Sequence, residues 1–147
     1  MGCLQNPARQ GHSRAMLRHI NITDIDSVAK AREATRDIAA SLDFADWDLR
    51  LALNIVTEIA LSSLDGGAAG EMSLSGIEYP DLRGICIMNR FPVTSSAGDG
   101  TLNNLECSSL PLAGMKNLSD HFRISLNTGE VVVNAVKWAS TRRSVAS

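Results

Sequence analysis

The sequence predicts an α/β (α+β) fold: a two-layer sandwich whose mixed, mostly antiparallel sheet is covered on one face by helices. Two adjoining stretches carry apolar residues at helical spacing, and shorter alternating stretches flank them. Turn signals at Pro80-Asp81 and Asn127-Thr128-Gly129 divide the alternating stretches into hairpins. The resulting order is strand, helix, helix, strand, strand, helix, strand, strand, and a sheet of that kind buries one face under its helices.

Met16–Thr23 alternates loosely and reads as the first strand. Thr23 or Asp24 can cap a helix running to about Asp43, with Ile25, Val28, Ala31, Ala34, Ile38 and Leu42 forming one buried stripe. After a short connection, in which Asp43 or Asp46 can cap, a second helix is expected from Trp47 to Leu64. Ala52, Ile55, Val56, Ile59 and Ser63 define its inner face, while Asn54, Glu58 and Ser62, four residues apart, share another. Asp65-Gly66-Gly67 with Gly70 stops it. Strands follow at Glu71–Tyr79 and Leu82–Asn89. Arg90–Glu106 is rich in Ser, Gly and Asn without any period, as lids and binding loops are. Leu112–Phe122 reads as a helix, and Arg123–Leu126 and Glu130–Trp138 as the closing hairpin. Residues 1–15 read as a disordered leader, 16–139 as one domain and 140–147 as a tail.

The 147 residues suffice for one domain with a real core. A net charge of −2 with no basic excess argues against nucleic-acid binding, and 4% aromatic residues leave little for base stacking. No apolar run has the length of a membrane span, and the leader lacks the hydrophobic region of a signal peptide. The opening Met1-Gly2-Cys3 departs from the acylation motif at Asn6. Cys3, Cys86 and Cys107 have neither metal nor redox spacing, which suits a reducing cytoplasm. Cys86 reads as a buried small hydrophobe. His12, His19 and His121 are dispersed and read as surface residues, His121 on the last helix. There is no P-loop or nucleophile elbow.

LRLALNIVTEIALSS (Leu49–Ser63), together with LPLAGMKNLSDHFRISLNTGEVVVNAVKW (Leu110–Trp138), resembles the anti-sigma factor and switch-protein serine kinases of bacterial partner-switching pathways. These belong to the histidine-kinase-like (GHKL, Bergerat-fold) ATPase superfamily. The resemblance spans about Leu17–Trp138 and implies a nucleotide pocket between sheet and helices. In that family a Glu, the base toward the attacking hydroxyl, stands four residues before an Asn that helps hold Mg²⁺. The matching positions are Glu58 and Ser62, and a serine hydroxyl can also ligate Mg²⁺. Asn54, one turn before Glu58, is a second metal-side candidate.

The family's adenine-recognising Asp-x-Gly-x-Gly corresponds to Asn89-Arg90-Phe91-Pro92-Val93. Asn89 retains an acceptor oxygen but adds an NH₂, and Phe91 and Val93 add bulk in place of both glycines. The glycine-rich phosphate lid corresponds to Ser108-Ser109-Leu110-Pro111-Leu112-Ala113-Gly114, where only Gly114 survives and Pro111 has no N–H.

The resemblance therefore implies a degenerate kinase. It would bind a STAS-domain antagonist, a sigma factor or a phosphatase, with Thr94–Ser109 as the partner-facing lid and a homodimer as one possible assembly. Glu58, Asn54, Ser62, Asn89 and Gly114 would be what is left of the pocket, with no tight cofactor. Two alternatives stay open. One is an active serine/threonine kinase using ATP and Mg²⁺, with Glu58 as base. The other is a small-ligand module in a pocket reshaped by Phe91 and Val93.

Overall fold

A computed structural model describes residues 16–65, 69–92 and 118–140. The architecture is a two-layer sandwich of α+β type. The strands are β1 (Leu17–Ile22), β2 (Gly70–Tyr79), β3 (Leu82–Pro92), β4 (His121–Asn127) and β5 (Glu130–Trp138), and the helices are α1 (Ile25–Ser41) and α2 (Asp46–Asp65). The sheet order is β1-β2-β3-β5-β4. Every pairing among these strands is antiparallel, which corrects the expected mixed sheet. The reason lies in the paired helices. One crossover helix would return the next strand parallel, whereas α1 and α2 run back and forth and deliver β2 antiparallel to β1.

Asp24 caps α1. Its carboxylate accepts from the Ser27 N–H at 2.9 Å, and the Ser27 hydroxyl oxygen accepts from the Asp24 N–H at 3.0 Å, a reciprocal capping box. The α1 stripe is buried as expected except Ile25, which is 65% exposed at the helix start. At the other end Asp43 adopts φ 63°, and the guanidinium of Arg83 donates to the carbonyls of Leu42 and Asp43 at 2.6 and 3.1 Å. A cation on these last carbonyls also complements the helix dipole. Asp46 opens α2 as its first residue. Between the helices Arg32 donates to Thr57 Oγ1 at 2.7 Å.

The inner sheet face presents Met72, Leu74, Ile85, Ile87, Phe91, Val131, Val133 and Ala135 to Val28, Ala31, Ile38, Ile55, Val56 and Ile59 of the helices. Gly76 sits where α1 comes closest. A Cβ there would lie 3.2 Å from both Ile38 and Leu42 side chains, so its absence lets the layers meet.

The expected helix over Leu112–Phe122 falls mainly outside the described residues. Its last residues are corrected, because Ser119 and Asp120 form a bend and His121 and Phe122 already belong to β4. His121 is therefore a strand residue, with its ring edge-on to Trp138 at 6.2 Å. The strand expected to end at Asn89 continues to Pro92. The last hairpin turns at Thr128-Gly129, with Gly129 at φ 76°. Among the described residues no helix is long and apolar enough to cross a membrane.

On the outer sheet face Trp138 lies across Gly84, where a Cβ would meet its ring at 2.4 Å. Gly84→Ala is expected to displace the indole and destabilise the domain by about 1–3 kcal/mol. Urea unfolding followed by tryptophan fluorescence measures both the stability and the altered native emission.

Candidate functional site

Of the residues expected at the pocket, Ser62 and Asn89 come together where the C-terminal half of α2 crosses β3, both donating to the Ile59 carbonyl. Along α2 the spacing of four carries Asn54, Glu58 and Ser62 from solvent into the core. Asn54 is exposed, Glu58 half-buried and Ser62 1% exposed. The Ser62 hydroxyl donates to the Ile59 carbonyl at 2.7 Å, back onto its own helix. Among the described residues no hydrogen bond or ion pair fixes the Glu58 carboxylate.

Asn89 comes from β3, paired with Met72 of β2 and Val133 of β5, so its side chain projects from the middle of the sheet into the helical layer. It is fully buried. Its NH₂ donates to the Ile59 carbonyl and to Ser63 Oγ, both at 3.3 Å. Ser63 in turn donates to the Ala60 carbonyl at 3.0 Å. The Asn89 side chain is thus held by α2 itself. Among the described residues its buried Oδ1 has no hydrogen-bond partner. Two residues later Phe91, 6% exposed, belongs to the core. Val93, Gly114 and the Thr94–Ser109 lid lie outside the described residues, so the lid half of the expected site is not assembled here.

Two further residues complete this seam, and sequence reasoning read neither as part of it. Apolar spacing places Ser63 only on the inner face of the helix, and the glycine run marks Gly70 only as part of the helix stop. A Cβ on Gly70 would lie 2.7 Å from Asn89 Oδ1 and 2.8 Å from Ser63 Oγ, so glycine at this point of β2 is what allows the Asn89–Ser63 contact.

A second polar cluster sits at the opposite end of α2. Asp48 has a fully buried side chain 3.8 Å from Lys137 Nζ of β5, which is itself 8% exposed. Lys137 also lies 3.5 Å from Asp120, just before β4. The remaining Asp48 oxygen accepts from the backbone N–H and the hydroxyl of Ser140 at 2.9 and 3.0 Å. Asp120 accepts from the Trp138 N–H at 2.7 Å. Nothing in the spacing announces the cluster, since Asp48 and Ser140 stand 92 residues apart.

Among the described residues no group of three or more His, Cys, Asp or Glu side chains is arranged to hold a metal ion. Cys86, expected to be buried, is half-buried on the outer sheet face, and burial pushes its thiol above the ordinary value. His19 is exposed on β1, 3.2 Å from Ser73 Oγ.

Lys137→Met leaves Asp48 buried without its cation. A loss of about 3–5 kcal/mol is expected in chemical denaturation, and Asp48→Asn in the same chain should recover most of it. Asn89→Asp places a carboxylate in the fully buried seam. It should cost at least about 2 kcal/mol at neutral pH. The buried carboxyl's folded pKa would be raised above its unfolded one, so the loss should shrink as pH falls through that raised value; unfolding at several pH values reads this directly. Comparison of the sequence with models of known protein families gives no match, and no curated protein matches it either.

Proposed function

We propose that this protein is a partner-switching regulator with a histidine-kinase-like fold whose nucleotide pocket is closed from within. The observation that carries the reading is the Asn89 seam. The Asn89 amide, which would replace the adenine-binding carboxylate, donates to α2 at Ile59 and Ser63 and is wholly buried. The Ser62 hydroxyl at the metal-side position donates into its own helix, and Phe91, at a position where the family has glycine, belongs to the core. A fold relieved of ATP hydrolysis can still present its helical layer to a STAS-domain antagonist, a sigma factor or a phosphatase. Binding to such a partner, without phosphoryl transfer, is the function proposed.

One observation favours a second reading, an active serine kinase. Among the described residues Asn89 Oδ1 is an unpaired acceptor, and an adenine amino group is a donor that would satisfy it. In that case Glu58, half-buried on α2, is the base toward the substrate hydroxyl.

Isothermal titration with ATP, with and without Mg²⁺, separates the two. No heat of binding is expected at millimolar nucleotide. Magnesium-dependent binding in the micromolar range, followed by stoichiometric phosphate transfer to a STAS-domain protein that Glu58→Ala abolishes, establishes the kinase instead.

A further inference from the structure

The outer face of the sheet carries apolar side chains where an antiparallel sheet wetted on one side alternates to polar ones. Cross-strand partners share a face, so the register identifies it. Leu17 and Val136 stand in one row, Ile77 and Trp138 in the next, and Tyr79 and Leu82 in the third. Leu17, Tyr79 and Leu82 are 61%, 51% and 40% exposed, and the others are half-buried. Met88 lies one row to the other side of Val136, between Ser73 and Asn134. Among the described residues no helix covers this face, because α1 and α2 both pack on the opposite one.

The remaining segments of the chain are unsuited to cover it. β3 and β4 are both antiparallel to β5 and therefore parallel to each other, so the residues joining them make a crossover connection. The Arg83 carbonyl points at β5, where it accepts from the Ala139 N–H at 2.8 Å, while the Arg83 side chain turns inward. For L-residues this places β5 and then β4 to the right of an upward β3, seen from the helices. A connection on the helical side is then right-handed, the hand that such crossovers take, and one across the outer face would be left-handed. Residues 1–15 and 141–147 hold Met1, Leu4 and Val145 as their large aliphatic side chains, too few for a face of this breadth.

We infer that the outer sheet face is the contact surface for a second copy of this chain, the two sheets stacked face to face about a two-fold axis. Five strands about 4.8 Å apart and seven residues at about 3.4 Å each give a face of roughly 24 by 24 Å. Two such faces bury more than about 1,000 Å², the size at which a contact becomes a specific interface. Charge does not choose the occupant. Arg90 and Glu130 offset each other at one margin, 3.4 Å apart, Asp81 stands at another, and Arg142 and Arg143 follow Ser140 in the sequence. Breadth and a centre free of charge choose it, and a second copy presents both in the same dimensions, as an isologous pair of aligned sheets requires. The inference does not rest on the state of the nucleotide pocket, since the helical layer and the Asn89 seam of both copies stay on the outside of such a pair.

Sedimentation equilibrium of the full chain is expected to give the mass of two chains at micromolar concentration and of one chain on further dilution. Leu17→Lys with Tyr79→Lys puts two charges on the face at positions well exposed in the single chain, and Met88→Lys puts one near its centre. Each should weaken association at least about a hundredfold, because like charges are brought together and desolvated. Glu33→Lys on the exposed side of α1, and separately Arg142→Gln with Arg143→Gln, should leave it unchanged. Thermal unfolding of each variant verifies its fold. A second reading needs no charged variant: in Trp47→Phe the remaining indole is Trp138, and its emission should shift to the red as the pair dissociates on dilution. The mass of one chain throughout, association that survives both lysine variants, equal loss in either control, or a Trp138 emission indifferent to dilution overturns the inference.

Discussion

Helix α2 is pinned at both ends by polar side chains that reach it from the sheet, and the rest of the molecule is arranged around that constraint. At its start, Asp48 meets Lys137 and the Ser140 backbone, tying the helix to the end of β5. Near its finish, Asn89 of β3 holds the Ile59 carbonyl and Ser63. Between the two, Ala52, Ile55, Val56 and Ile59 supply the apolar contact that drives the layers together. Apolar burial is indifferent to small slides of a helix over a sheet, whereas directional bonds at two points fix both its position along its axis and its rotation. Hydrogen bonds and charges desolvated to this degree contribute little net stability while they are complete, and much is lost when one partner goes.

Each pin leaves one buried oxygen without a hydrogen bond among the described residues. At Asp48 one oxygen accepts twice from Ser140, and the other faces the Lys137 ammonium at 3.8 Å as an ion pair alone. At Asn89 it is Oδ1, with no cation opposite. A leucine at that position would carry no such cost but could not hold α2. An aspartate would double the acceptors where α2 offers a carbonyl, and would bring a charge into a buried site. Asparagine is the residue that can donate to α2 without a charge, and its orphaned oxygen is the residue of that compromise. Local conflicts of this kind concentrate where a site has had a use other than stability.

Periodicity in the sequence made most of the fold legible. The inner face of α2, the α1 stripe apart from Ile25, and the hairpins at Pro80-Asp81 and Thr128-Gly129 all follow from apolar spacing and turn chemistry. The start of β4 did not, for a definable reason. Leu118 and Phe122 are four apart, a spacing that satisfies a helix and a strand alike, and only the continuing alternation through Ile124 and Leu126 selects the strand. Strand direction was also illegible, because pairing depends on what the intervening helices do in space. In the candidate site, Asn89 and Ser62 were visible as substitutions in a pattern. Their actual partners were not, since Asn89 meets Ser63 across 26 residues and Gly70 matters only through the Cβ it lacks.

The seam also bears on how such a protein could signal. Under the proposed reading, a nucleotide would lie between α2 and β3. There the Asn89 amide and the Ser63 hydroxyl join strand to helix. A covalently attached side chain cannot dissociate as a ligand does, so helix and sheet are held in one relation without a ligand. On that reading any input would arrive through a surface that another molecule can reach, with the interior as a fixed frame.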